Sequence, residues 1–356
     1  MSRSSLIPRP TLLPGLRPLW RDRHHVQLGT DPRQAVVLEL PHPAAAKLFD
    51  MLDGSHTEPM IIAELARIGL PEDEAREVLA VLTGTGLVVA ADTLMPPAVP
   101  AERRGRIARE AAALALRFRQ RPASPATILH RRHTARVIIA GDGPVAAHLI
   151  TTLAEAGVGT VGKVTEAGDT AKPVISADRS PTVRADSAFV VQIGRLVDVG
   201  RRGARQRPPR LVFGVRDGVA IVGPLIPSDR GPCLRCLDLH RTDRDPAWPQ
   251  LVAQLETDPG PCAAATLMTA AGFAAAEVLT FIDGGDPTTI GTTVEIDGVA
   301  PWRRRTWTPH PACDCTPRTR PAHDQPPHST PPDQRPQDPP PAQSTARPAR
   351  DPAAPR

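Results

Sequence analysis

The sequence predicts an α/β chain in four parts. A winged-helix-like module occupies residues 1–100, an arginine-rich helical linker 101–132, a dinucleotide-fold α/β domain 133–315, and a disordered proline-rich tail 316–356. Three observations carry this reading. The first 90 residues show a hairpin pattern, three short helical patterns and a closing strand. The run RVIIA at 136–140 passes directly into Gly141-Asp142-Gly143-Pro144-Val145-Ala146 and an apolar helix. Thirteen of the last 41 residues are proline, mixed with Gln, Ser, Asp and Arg, which leaves too little apolar surface to offset the entropy of ordering them.

The length of 356 residues suits about two domains, and five cysteines in such a chain do not make a disulfide scaffold. We read no uninterrupted apolar run of membrane-spanning length. Prolines break the N-terminal stretch before an apolar signal core forms, so the expectation is a cytoplasmic protein with no membrane partner. The formal charge of +5 dissolves when it is located. Residues 101–132 hold nine arginines against two glutamates, and the tail six arginines against four aspartates, so the rest of the chain is net negative. No nucleic-acid partner is expected, because duplex binding needs a basic face on a folded element.

In the first module, strand-like stretches at 19–28 and 35–40 flank Gly29-Thr30-Asp31-Pro32-Arg33, which favours a turn. Residues 43–52 repeat Ala46, Leu48, Phe49 and Leu52 at helical spacing and stop at Gly54. Thr57 is placed to cap a helix over 59–68, with Pro59 in its first turn and Gly69 at its end. Pro71 opens a third helix with Ala75, Val78, Leu79 and Leu82 on one stripe, and residues 87–90 read as a strand. DNA reading by that helix is the obvious use of such a module. Glu72, Asp73, Glu74 and Glu77 would then face phosphates. A scaffold that binds nothing is the plain alternative.

Residues 102–120 place Ile107, Ala111, Leu114 and Phe118 on one face of an amphipathic helix. Its arginines (Arg103, Arg104, Arg106, Arg109, Arg117, Arg119) either bind phosphate or an acidic partner, or form a solvated face packed against the acidic first module. In the following domain, strand, Gly-x-Gly-x-x-Ala and helix form the context in which backbone cradles phosphate. Gly141, Gly143 and Ala146 mark it, and the helix N-terminus favours an anion. A second strand is expected at 161–164. Glu166 and Asp169 are the candidate ribose-binding acids, within a stretch, 165–173, that reads as loop. Further strands follow at 188–193, 210–215 and 219–224, the last two joined at Arg216-Asp217-Gly218.

The cysteines are the sharpest signal. Cys233 and Cys236 form Cys-x-x-Cys, and Cys313 and Cys315 form Cys-x-Cys near the end of the domain. Four thiolates in two close pairs fit a closed tetrahedral zinc site that staples the C-terminal segment to the core; two unrelated reduced pairs are the alternative. Cys262 is left over at the start of an Ala-rich helix over 262–281. There a helix N-terminus would lower its pKa, or it is simply a small residue packed against the sheet. Asp238, Arg241 and Asp245, at i, i+3 and i+7 with His240, Asp243, Arg244 and Trp248 alongside, read as a solvated salt-bridge ladder or as a docking surface for a catalytic partner. No Ser-His-Asp order is legible around Ser228.

The runs RVIIAGDGPVAAHLI, GVAIVGPLIPSDRGPCLRCLDLHRTDRDPAW, CAAATLMTAAGFAAAEVLTFIDG, TTVEID and WTPHPACDC together resemble the ThiF/MoeB superfamily of ubiquitin-like-modifier-activating, adenylate-forming proteins. Within it they resemble the actinobacterial branch associated with azoline-forming peptide cyclodehydratases, whose members pair a PqqD-like module with a ThiF-like, Rossmann-type one. The resemblance covers about residues 10–315. It implies that a leader peptide adds a strand to the hairpin edge of the first module and packs along its third helix. It also implies ATP at Gly141, Gly143 and Ala146, magnesium on an acid beyond the next strands, and an acyl-adenylate formed on a peptide C-terminus, with arginine and metal neutralising charge.

The chain departs from that pattern at several points. No Asn-Arg pair follows Val164, and Gln192-Ile193-Gly194-Arg195 stands where the family has a metal-ligating acid. Asp198 and Arg195 are the only nearby substitutes, and no cysteine precedes Cys233. The reading is a degenerate adenylation fold that binds a ribosomal-peptide leader or carrier peptide and presents it to a partner modifying enzyme of the cyclodehydratase type. Structural zinc is expected, with ATP and magnesium belonging to an active form, and a homodimer completes the expected partners. The alternatives are an active ATP-dependent adenylyltransferase of a peptide or carrier-protein carboxylate, and a DNA-binding regulator.

Overall fold

The computed structural model describes residues 7–118, 123–164, 170–176, 183–184, 188–194, 208–228, 231–254, 260–298 and 301–315. The tail over 316–356, and Glu166, Asp169, Arg195 and Asp198, lie outside them. After β1 (Pro10–Leu12), the strands β2 (Pro18–Trp20), β3 (His25–Leu28) and β4 (Val36–Glu39) form an antiparallel sheet in the order β2-β3-β4. The stretch expected as one strand over 19–28 is therefore two. The Asp22 carboxylate accepts the His24 and His25 N–H groups, each at 2.8 Å, and this local side-chain turn reverses the chain between the strands.

A 3-10 turn, Pro43–Lys47, leads into α1 (Leu48–Met51), α2 (Glu58–Arg67) and α3 (Glu72–Gly84). The α3 stripe Ala75, Val78, Leu79 and Leu82 is buried, as its spacing demands, and joins Val26, Leu28, Leu48 and Leu65 in one core. The closing strand β5 (Val88–Ala90) pairs antiparallel with β1 and not with the hairpin.

The linker is not one helix. α4 (Ala101–Arg117) buries Ile107, Ala111 and Leu114, and α5 (Pro125–Thr134) follows. Ser124 caps α5, its hydroxyl accepting the Thr127 N–H at 3.2 Å, with proline in the first turn. The contacts of Arg103 and Arg106 run toward the following domain, not to the acidic first module: Arg103 donates to Val158 O at 3.2 Å, and Arg106 lies 3.9 Å from Glu155.

The strands β6 (Arg136–Ala140), β7 (Thr160–Val164), β8 (Thr170–Ser176), β9 (Val183–Arg184), β10 (Phe189–Ile193), β11 (Arg210–Arg216) and β12 (Val219–Ile226) enclose one helix, α6 (Pro144–Glu155), which follows β6. Then come α7 (Leu234–Arg244), α8 (Trp248–Gln254), α9 (Ala264–Ile282), β13 (Thr292–Ile296) and β14 (Arg303–Thr306). The nine strands form a mixed sheet in the order β14-β13-β12-β11-β10-β6-β7-β8-β9. Its centre, β11-β10-β6-β7, is parallel and its flanks are antiparallel. Residues 170–173, expected as loop, are in strand because the edge of β7 offers them a hydrogen-bonding partner that local composition does not reveal.

α6 and α9 share one core with the sheet, through Val137, Ile139, Leu149, Leu153, Phe213, Ala271, Ala274 and Val278. α9 is long and apolar enough to cross a membrane by length and composition, although Glu277 interrupts its apolar run. Its Ala270, Ala271, Ala274, Ala275 and Val278 are buried in the core. Its one carboxylate, Glu277, is also buried, and accepts the Thr289 N–H at 2.7 Å and the hydroxyls of Thr289 and Thr288 at 2.6 and 3.0 Å.

Candidate functional site

The four cysteines meet. Cys233 is the extended residue that caps α7, Cys236 lies in the first turn of that helix, and Cys313 and Cys315 arrive on the segment after β14. Their sulfurs lie within 4.8 Å of one another, with Cys233 at 3.8 Å from Cys236 and 3.6 Å from Cys313, and Cys236 at 3.3 Å from Cys315. Four thiolates about 2.3 Å from a tetrahedral ion would stand about 3.8 Å apart, so the donor set fits a closed metal site such as a zinc site. A proton shared with Cys236 holds the Cys233 thiol down to about 5, while burial pushes Cys313 up to about 11. One thiolate is thus ready to bind, and a metal would displace the remaining protons. What a bound metal supplies here is a crosslink between α7 and the segment after β14.

The residues around the cluster hold that segment independently. Trp307, buried, donates its indole N–H to Thr293 Oγ1 at 3.1 Å, and Cys313 N–H donates to His310 O at 2.9 Å. His310 Nδ1 accepts the Ala312 N–H at 3.1 Å, which assigns its proton to Nε2, 2.8 Å from Asp243. His240, Asp243 and His310 have metal-like spacing. With both nitrogens of His310 engaged, the trio reads as the outer support of the cysteine cluster.

Arg241 is not part of a solvated ladder. It lies 3.2 Å from Asp238, with its guanidinium 5.0 Å over the Trp248 ring and 5.5 Å from the Trp307 ring, and its side chain is 11% exposed. Trp248 donates to Asp238 at 3.3 Å, and Asp245 accepts the Ala247 N–H at 3.0 Å. Cys262 precedes α9 rather than opening it. Burial raises its pKa, against the lowered value that a helix N-terminus would give, and its thiol contacts Gly218 O at 3.1 Å.

The glycine loop takes backbone conformations that favour glycine. Gly141 and Gly143 have φ of +134° and +88°, and a Cβ at Gly141 would stand 2.8 Å from Ile193 Cβ, so only glycine fits there. Ala146 is buried in the first turns of α6. The loop holds a charge of its own. Asp142 accepts the Gly143 N–H at 2.7 Å and the Lys163 ammonium at 2.7 Å, and Lys163 and then the Gly143 amide hold this carboxyl below its usual range. No sequence rule pointed to Lys163, which lies 21 residues from Asp142.

On the first module, Leu19, Trp20 and Val37 are exposed on the β2-β3-β4 sheet. Beside Trp20 an open cavity of about 600 Å³ is lined by Pro43, Ala46, Lys47, Glu64 and Ile68, that is, by the turn before α1 and by α2 and its end. None of its lining comes from α3. The exposed face of α3 presents Glu72, Asp73 and Glu77, the wrong sign for a phosphate backbone.

No family profile matches the chain, and no curated protein does. Solved structures do match in fold. A heterocyclase in complex with substrate and cofactor is 16% identical, with a TM-score of 0.56 over 85% of this chain and 38% of that one. The heterocyclase TruD is 16% identical, with a TM-score of 0.57 over 86% and 42%. The microcin C7 biosynthetic enzyme MccB of E. coli, in complex with N-formylated MccA, is 14% identical, with a TM-score of 0.51 over 86% and 99%. The chain spans about two fifths of the length of the heterocyclases it matches. What it shares with all three is a mixed α/β fold built on a large mixed sheet.

Proposed function

We propose that this chain is a ThiF-like protein of ribosomal-peptide modification. In this reading it binds a leader peptide with residues 1–100 and presents the peptide to a partner modifying enzyme of the cyclodehydratase type. The observation that carries the reading is the extent of the fold likeness. A match over 85 to 86% of the chain is longer than residues 101–356 alone, which supports reading part of the first module together with the sheet domain as one shared fold. The exposed strands β2 and β4, with the cavity beside Trp20, suit an added strand anchored by side chains. Asp142, seated on the Gly143 amide, supports binding over catalysis, because a carboxylate there competes with a phosphate. The four cysteines hold structural zinc, and residues 133–315 form the ThiF-like part beyond the linker.

Isothermal titration of the full chain with leader peptides encoded beside its gene tests this. Saturable binding is expected, about tenfold weaker in Trp20→Ala, as for a buried aromatic anchor. Failure of every such peptide to bind overturns the reading. A second reading, an active adenylyltransferase, is favoured by the positive φ values of Gly141 and Gly143 at the head of α6 and by the match to 99% of MccB. Peptide-dependent exchange of pyrophosphate into ATP by metal-loaded protein would establish it, and silence in that assay removes it.

A further inference from the structure

The face of the large sheet that carries α7 ends, at the β14 edge, in a guanidinium cluster that neither the metal centre nor the glycine loop uses. β13 and β14 register Glu295 against Arg303 and Thr293 against Arg305, so Arg303 and Arg305 stand two residues apart on one face. Arg216, at the end of β11, reaches Glu295 at 3.2 Å, and Arg303 pairs with the same carboxylate. Arg305 lies 4.7 Å over the Trp307 ring. Among the described residues, no carboxylate comes within 4.0 Å of Arg305 or of Arg244 on α7. Burial, and then the charges of Arg244, Arg216 and Arg303, lower the pKa of Arg305 against the opposing charge of Glu295. β14 is also the last strand of the sheet, with no described strand on its outer edge.

We propose that this edge docks an extended acidic peptide segment of another protein, one with carboxylates at alternate positions. Charge complementarity and spacing both argue for it. Two residues along a strand span about 6.8 Å, so Arg303 and Arg305 match the repeat at which an extended peptide presents every second side chain. A helix presents its acids at i, i+3 and i+4, so the acidic α3 of a second copy does not fit this repeat. The tail of this chain carries six arginines against four aspartates and has the wrong sign. The proposal stands apart from the leader-binding reading, since it uses the opposite end of the chain and a different strand edge.

The test is fluorescence anisotropy of a fluorescein-labelled (Glu-Ser)4 peptide titrated with metal-loaded full chain at 50 and 200 mM salt. Saturable binding that weakens with salt is expected. The Arg244→Ala/Arg303→Ala double variant, whose replaced side chains are exposed, should bind about five- to tenfold more weakly. Arg109→Ala, an exposed arginine of α4, should bind as the parent does. Absence of binding, equal binding of (Lys-Ser)4, or no loss in the double variant overturns the proposal. So does displacement by inorganic phosphate at matching concentration, tighter binding of duplex DNA, or self-association of the chain that the double variant abolishes.

Discussion

Replacing Arg132 should cost more stability than any other single ion-pair change among the described residues. Its side chain is 3% exposed, and its guanidinium donates to both oxygens of Asp283, at 2.8 and 2.7 Å, to Glu110 at 2.6 Å and to Ala156 O at 3.1 Å. One side chain thus ties the linker helices to the ends of α6 and α9. Burial by itself would lower its pKa, but Asp283 and then Glu110 reverse the sign and leave it raised, so the charge persists. Arg132→Ala strands Asp283, whose side chain is 11% exposed, whereas Glu110, at 31%, regains water. Breaking a buried pair from one side costs about 3 to 5 kcal/mol. With one of the two acids rehydrating, the lower end, about 3 kcal/mol, is expected. Urea unfolding of metal-loaded protein, followed by far-UV circular dichroism, measures it, and Arg132→Ala/Asp283→Ala should lose less than the two single losses added together. A loss below about 1 kcal/mol, the level of an exposed pair, or strict additivity, would refute the reasoning.

Metal analysis of the purified chain should find one equivalent of zinc, and Cys236→Ser should lose it; unchanged stoichiometry rules out the four-cysteine site. Gly141→Ala should destabilise by about 1 to 3 kcal/mol, because a φ of +134° and the Ile193 contact both oppose a side chain; a parent-like unfolding midpoint contradicts that. Burial, and then the charges of Arg103 and His130, hold the pKa of His133 below its ordinary 6.5. The folded state therefore binds its proton less readily than the unfolded state does. The stability His133 contributes is complete above about pH 6.5 and is lost as pH falls below it. His133→Gln should flatten that loss between pH 6.5 and 5, and parallel curves for the two proteins would exclude it.

The features legible along the chain are local ones. The α3 stripe, the passage from RVIIA through two glycines into α6, and the two cysteine pairs are written in periods of two to four residues, over which backbone geometry alone decides which side chains share a face. The Ser124-Pro125 cap that starts α5 was legible in the same way and was missed. The remaining pairings depend on how distant segments pack. β5 found β1, and residues 170–176 became a strand because β7 had an open edge. Arg132 found Glu110 and Asp283, 22 and 151 residues away. Arg241, one of a row of charges along the chain, closed into a stack with two tryptophans, and Lys163 brought its ammonium to the mouth of the glycine loop. The cysteine pairs announced their chemistry, but their meeting within 4.8 Å rests on the packing of Trp307 and His310. A charged or cysteine side chain has many chemically adequate partners along a chain, and the packing of the whole selects among them.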